Sequence, residues 1–148
     1  MKITVSSDEH YPLVEFILND LKQRGHEVEY FGPNVGEKSS DWPVVTLKAV
    51  SAVAENRADE AIVMCWTGTG ATLAANKVAG IRAALCHDAE TTKGARTWNH
   101  ANVLALSLRV TSIPMAEEIL QAWFDTPFSD DDWNLKQIAR IREIEQIS

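Results

Sequence analysis

The chain has 148 residues, 45% hydrophobic and 24% charged, with 14 basic against 21 acidic side chains and a net charge of −7. That is about one domain, and the composition excludes disordered, collagen-like and disulfide-scaffold proteins. The acidic balance argues against a nucleic-acid partner, and no apolar run reaches the ~20 residues of a membrane span.

In chain order, β-rich runs at 3–6, 27–31, 60–65, 82–86 and 103–106 predict five strands, each apolar along its length as buried parallel strands are. Helices are predicted between and after them at 12–24, 43–56, 70–77, 89–98 and 114–124. Pro12, Pro43 and Pro114 stand where a first helical turn tolerates proline. Gly25 reads as a C-terminal cap behind Lys22 and Arg24. A last helix, about 133–146, follows Ser129-Asp130-Asp131-Asp132, a run that reads as an acidic cap. Strictly alternating strands and helices predict a single α/β domain over 1–148, built on an open, doubly wound parallel sheet. Ligands of such sheets bind beyond the carboxyl ends of the strands. The N-terminus meets charge at Asp8 and does not read as a secretory signal, so a soluble cytoplasmic protein is expected.

The strongest pattern follows the third strand: Cys65-Trp66-Thr67-Gly68-Thr69-Gly70-Ala71-Thr72. Two glycines allow a sharp turn and close approach to a ligand, and the start of the next helix offers free N–H groups to an anion. The run lacks the Gly-Lys-Ser/Thr ending of a nucleotide loop and is not Gly-x-Gly-x-x-Gly. At this strand end the Cys65 thiolate would be favoured, which suits a base of near-neutral pKa. The alternative for Cys65 is a small buried hydrophobe, and Cys86, with no such turn behind it, reads as core. Both cysteines are expected to be free thiols.

Asp8, Glu9 and His10 follow the first strand, where they could hold hydroxyls or move protons; Asp8 could equally cap the helix near Pro12. On local grounds His10 and His100 read as solvated. None of the four histidines forms an i, i+4 pair, and no metal-ligand spacing is present, so no metal is expected.

Together these motifs resemble the sugar-phosphate isomerase family of type B ribose-5-phosphate isomerase and galactose-6-phosphate isomerase. The resemblance spans nearly the whole chain and weakens after about Pro127. It rests on Asp8, Asp41-Trp42-Pro43, Cys65-x-Thr67-Gly68-x-Gly70, Ala74-Ala75-Asn76-Lys77-x-x-Gly80-Ile81-Arg82-Ala83, Asn99-x-x-Asn102-Val103-Leu104 and Ser107-x-Arg109. It implies a Rossmann-like three-layer αβα sandwich with a five-stranded parallel sheet. It also implies aldose–ketose isomerisation through an enediolate, without cofactor or metal. The assembly implied is a homodimer or dimer of dimers with shared sites and the last helix at the interface. Carried over by position, Cys65 is the proton-moving base and Thr67 assists it. The amides of Gly68, Thr69, Gly70, Ala71 and Thr72 form the anion hole, Asp8 and Asn99 bind sugar hydroxyls, and Arg109 contacts phosphate.

The chain departs from the family at the substrate. The family's Asp-His pair is Asp8-Glu9 here, with His10 one place along, and Trp98 replaces the ring-opening histidine before Asn99. Trp133 and Gln137 stand where two arginines clamp phosphate. Lys136 and Arg140, on the same helical stripe, either restore positive charge or are ordinary solvated cations. Trp66 takes a glycine position and Trp42 a tyrosine position, so four of the five tryptophans fall near the family's site. These departures point to a shorter sugar phosphate that closes no stable ring, such as a tetrose phosphate, or to a nonphosphorylated sugar. The alternative is a sugar-binding protein of the same fold that has lost catalysis.

Overall fold

The structure is a computed structural model that describes residues 1–147. Its elements run β1 (Lys2–Ser7), α1 (Pro12–Gln23), β2 (Glu27–Phe31), α2 (Trp42–Ala54), β3 (Glu60–Cys65) and α3 (Thr69–Ala75). They continue β4 (Ala83–Leu85), α4 (Ala89–Thr97), β5 (Val103–Ser107), α5 (Ile113–Asp125) and α6 (Asp132–Ile147). All five strands pair in parallel in the order β2-β1-β3-β5-β4.

Helices cover both faces, which is why β1, β3 and β5 are apolar throughout rather than alternating. On one face Leu13, Ile17 and Leu21 of α1, Ala95 of α4 and Ile119, Leu120 and Trp123 of α5 pack on Ile3, Val5, Ile62 and Leu104. On the other, Ala49, Val50 and Val53 of α2 and Ala71 and Ala75 of α3 pack on Ala61, Val63 and Ala105. This is the expected three-layer αβα sandwich. The connections from β1 and from β3 leave in opposite directions, so a crevice is positioned between the carboxyl ends of these two neighbours.

Element boundaries shift where a side chain competes with the backbone. α3 stops at Ala75 rather than residue 77, because Asn76 turns its amide onto Ala83, accepting from its N–H at 2.9 Å and donating to its carbonyl at 3.0 Å. β4 is shorter than residues 82–86 because the Arg82 N–H goes to Asn102 Oδ1 at 2.8 Å. Gly25 does cap α1, at φ +88°. Asp8 does not: Tyr11 is the N-cap and no side chain bonds there, so that reading is corrected. The acidic run caps α6 through Asp131, which accepts the Asn134 N–H at 3.0 Å. Cys86 is fully buried, as expected. Among the described residues no helix is long and apolar enough to cross a membrane.

Candidate active site

Three loops meet at the carboxyl edge of the sheet. Ser7 pairs with Met64 and Cys65 with Ser107, so the segments after β1, β3 and β5 emerge side by side. The last two are stitched together. The Trp66 carbonyl accepts from Ser107 Oγ and from the Arg109 N–H, both at 2.9 Å, and the Leu108 N–H donates to the Cys65 carbonyl at 3.0 Å. Gly68 lies at φ +77°, and a Cβ there would come within 2.5 Å of Leu85 Cδ1 and 3.1 Å of the Leu106 backbone. Only glycine lets the turn sit that close to the sheet. A Cβ on Gly70 would lie 3.1 Å from the Trp42 ring, so that indole rests directly on the turn.

The Thr72 N–H and Oγ1 both donate to the Gly68 carbonyl, at 3.1 and 2.7 Å. The Thr72 amide and hydroxyl are therefore both engaged within the turn. Thr69, Gly70 and Ala71 form the first turn of α3, where no intrahelical carbonyl is available to their N–H groups. Thr67 and Thr69 share a hydrogen bond between their hydroxyls at 2.7 Å.

Beneath this turn lies Cys65, only 5% exposed and grouped with Ala71 and Ala105 in the second apolar cluster. The sequence left open whether this thiol was a base or a buried hydrophobe; its packing is that of the latter, its position that of the former. Within the single chain the thiol sits just under the surface.

Asp8 is half-buried, and its Oδ1 is buried without a hydrogen-bond partner. Burial first, and then the neighbouring Glu9 charge, hold its carboxyl above the usual carboxylate range. Its loop is pinned by Ser7 Oγ donating to the Glu9 carbonyl at 2.5 Å and by the Ser40 N–H on the Asp8 carbonyl at 2.8 Å. The exposed Glu9 carboxylate faces the Tyr11 hydroxyl and raises its pKa. His10 is held by Glu15 at 2.9 Å and is half-buried, so its reading as a solvated side chain is corrected.

Trp98 and Asn99 are not here. α4 runs back along the sheet, so both lie at the opposite edge, where β5 starts beside β3. The strand's length, roughly 15 Å at ~3.3 Å per residue, separates them from Cys65. There Trp98 lies across Gly94. With Asn99, Asp131, Trp133, Asn134 and Gln137 it lines a cavity of about 460 Å³. Lys136 and Arg140 are exposed on α6. Arg140 borders the adjoining groove and pairs with Glu143 at 3.1 Å, so within one chain these cations do not join Arg109.

A buried cluster that sequence reasoning missed holds the loop between α5 and α6. Glu60 accepts from Arg96 at 3.0 Å and from the Trp123 indole N–H at 2.6 Å. The Arg96 guanidinium lies between the rings of Trp123 and Phe128, at 4.4 and 4.5 Å. Phe128 stacks on His100, whose Nε2 bonds the Ser129 carbonyl at 2.7 Å. His100 is thus buried rather than solvated, turned inward by a left-handed backbone at φ +50°. Burial raises the Glu60 pKa, opposed by Arg96 and Trp123. No local signal announces these contacts, because the partners are far apart in sequence.

The tryptophans divide cleanly. Trp123 is wholly buried, whereas Trp42, Trp66, Trp98 and Trp133 are 41%, 49%, 62% and 69% exposed. Trp42 and Trp66 border the carboxyl edge, and Trp98 and Trp133 line the opposite cavity. Exposed indoles grouped with amides and carboxylates suit the alternating C–H and O–H groups of a sugar.

Comparison with known proteins places these features among relatives. The family described as Ribose/Galactose Isomerase matches residues 3–144. The structure of ribose-5-phosphate isomerase B from Clostridium thermocellum superposes with a TM-score of 0.93 at 40% identity, covering 99% of both chains. A ribose-5-P isomerase B of Listeria innocua is 33% identical over 147 residues, 99% of this chain and 98% of that protein. A D-erythrulose-4-phosphate isomerase of Pectobacterium atrosepticum is 37% identical over 112 residues, 76% of this chain and 74% of its own length.

Proposed function

From the premise that this chain belongs to the ribose/galactose isomerase family, we propose that it interconverts an open-chain tetrose phosphate and its ketose, with Cys65 as the base. The thiolate takes a proton from the carbon next to the carbonyl, and the resulting enediolate is reprotonated on the neighbouring carbon. The negative oxygen of that intermediate is the costly species. Amides of Thr69, Gly70 and Ala71 aimed at it would contribute about 3 kcal/mol each. The unpartnered Asp8 Oδ1 is an acceptor for a substrate hydroxyl, Thr67 lies beside the reacting carbons, and Arg109 meets the phosphate. The observation that carries this reading is the arrangement at the carboxyl edge: a thiol directly beneath a glycine turn with unspent amides, next to an unspent carboxylate oxygen.

The separation of Asn99 from Cys65 supports a shared site. A second copy of the chain, related by two-fold symmetry, would bring its Asn99, Trp98 and α6 over the first copy's Cys65, enclosing the thiol. Exposed Trp133, Leu135, Ile141 and Ile144 give α6 the apolar surface for that contact. A tetrose phosphate fits the indole at position 98, since a substrate that closes no stable ring needs no histidine to open it. The similarity to a D-erythrulose-4-phosphate isomerase points the same way.

The test is kcat/KM for four-, five- and six-carbon sugar phosphates and their nonphosphorylated counterparts. The four-carbon phosphate is expected to lead. Equal or better turnover of ribose 5-phosphate would contradict the substrate assignment. Tight binding with no turnover of any sugar would favour a carrier that has lost catalysis, the reading to which the 5% exposure of Cys65 lends weight.

A further inference from the structure

Trp66 lies at the carboxyl edge beside the candidate base, with its backbone anchored and its ring packed on Tyr11. It follows directly on Cys65, the last residue of β3. Its carbonyl is held by both Ser107 Oγ and the Arg109 N–H at 2.9 Å. Its ring leans on Tyr11, with centroids 5.7 Å apart and planes tilted by 38°. The nearby Glu9 carboxylate raises the pKa of the Tyr11 hydroxyl. The indole is 49% exposed, so one side of it is open to a ligand at this edge.

We propose that Trp66 is the chain-length determinant of the site: backed by Tyr11, its indole occupies the space that the additional carbons of a pentose or hexose phosphate would need. Tyr11 backs the indole through the ring contact at 5.7 Å, which opposes its rotation toward that side. This inference rests on the isomerase reading of Cys65 and assigns to a different residue the selection among its substrates. One or two carbons of added chain meeting a fixed ring is a steric rejection, whose relief is worth about tenfold or more in relative kcat/KM.

The experiment compares wild type, Trp66→Ala and Trp66→Phe on tetrose, pentose and hexose phosphates, with thermal melts confirming that each variant folds. Trp66→Ala is expected to raise the pentose-to-tetrose ratio of kcat/KM by about tenfold or more. Trp66→Phe should move that ratio back toward wild type, and Tyr11→Ala should raise it by less than Trp66→Ala does. A ratio unchanged within about twofold in folded Trp66→Ala overturns the proposal, as does a wild-type enzyme that already prefers the pentose. Those outcomes leave Cys65 chemistry standing. Failure of the wild type to turn over any sugar phosphate instead removes the isomerase reading, and this proposal with it.

Discussion

Where β3 begins, Glu60 has both carboxylate oxygens taken, by Arg96 at 3.0 Å and by the Trp123 indole at 2.6 Å. Where β3 ends, Asp8 keeps an oxygen with no partner, and the first amides of α3 have no helical acceptor. Both edges bury acidic groups, and burial raises the pKa at each. Only at the first is the carboxylate itself used up on the structure. Saturated polar groups hold a fold together, and unsaturated ones await a ligand. Beside the Glu60 cluster lies the Trp98–Trp133 cavity, which a shared site would place against Cys65 of another copy.

The widest consequence is complementation between chains. Cys65→Ala and Asn99→Ala should each lose most activity, by about a thousandfold for the base. Unfolded and refolded together, the two variants should recover about a quarter of wild-type activity, since half the dimers would carry one intact site of two. Recovery near zero in a mixture that has demonstrably exchanged subunits would show that Asn99 and Cys65 do not share a site.

Next comes stability at the saturated edge. Glu60→Ala strands Arg96 between two rings and should cost about 3–5 kcal/mol by denaturant titration, without altering KM in the folded fraction. A loss below about 1 kcal/mol would mean the pair is not buried as described. At the other edge, Arg109→Ala should raise KM for phosphorylated sugars by about tenfold and leave nonphosphorylated ones untouched, as expected for a charge that meets only the phosphate. An equal rise for both would remove Arg109 from the phosphate.

The smallest effect is a pH dependence. Because the folded-state pKa of Asp8 is raised, its proton is held more tightly in the native chain than in the unfolded one. Its contribution to stability is complete below the ordinary carboxylate pKa and is lost as pH rises through the raised value. Asp8→Asn removes that loss, so the variant should gain slightly on wild type across this window in pH-dependent melts while losing turnover. A gain that grows toward acid pH has the wrong sign for the account.

How much of this was legible in sequence follows from the range of the forces involved. Apolar runs and prolines marked every strand and helix because burial on both faces and helix starts leave local signatures. The boundary of α3 did not, since Asn76 abandons the helix for Ala83, a partner visible only after folding. The residues around Cys65 were recognisable from the glycine turn, whose φ at Gly68 and tight clearance require that residue type. Two things were hidden. One is the placement of Trp98 and Asn99 at the far edge, which the strand–helix order contains but a linear motif conceals. The other is the Glu60–Arg96–Trp123–Phe128–His100 chain, assembled from three elements and two loops, which took His100 out of solvent.

The most direct test of the central claim follows solvent deuterium into substrate carbon. Wild type incubated in heavy water with a tetrose phosphate should place deuterium on the carbon next to the carbonyl, as read by proton NMR. Cys65→Ala should bind the same sugar phosphate in calorimetry yet show no exchange. Exchange at the wild-type rate in Cys65→Ala would contradict the account, for the proton would then be moved by some other group.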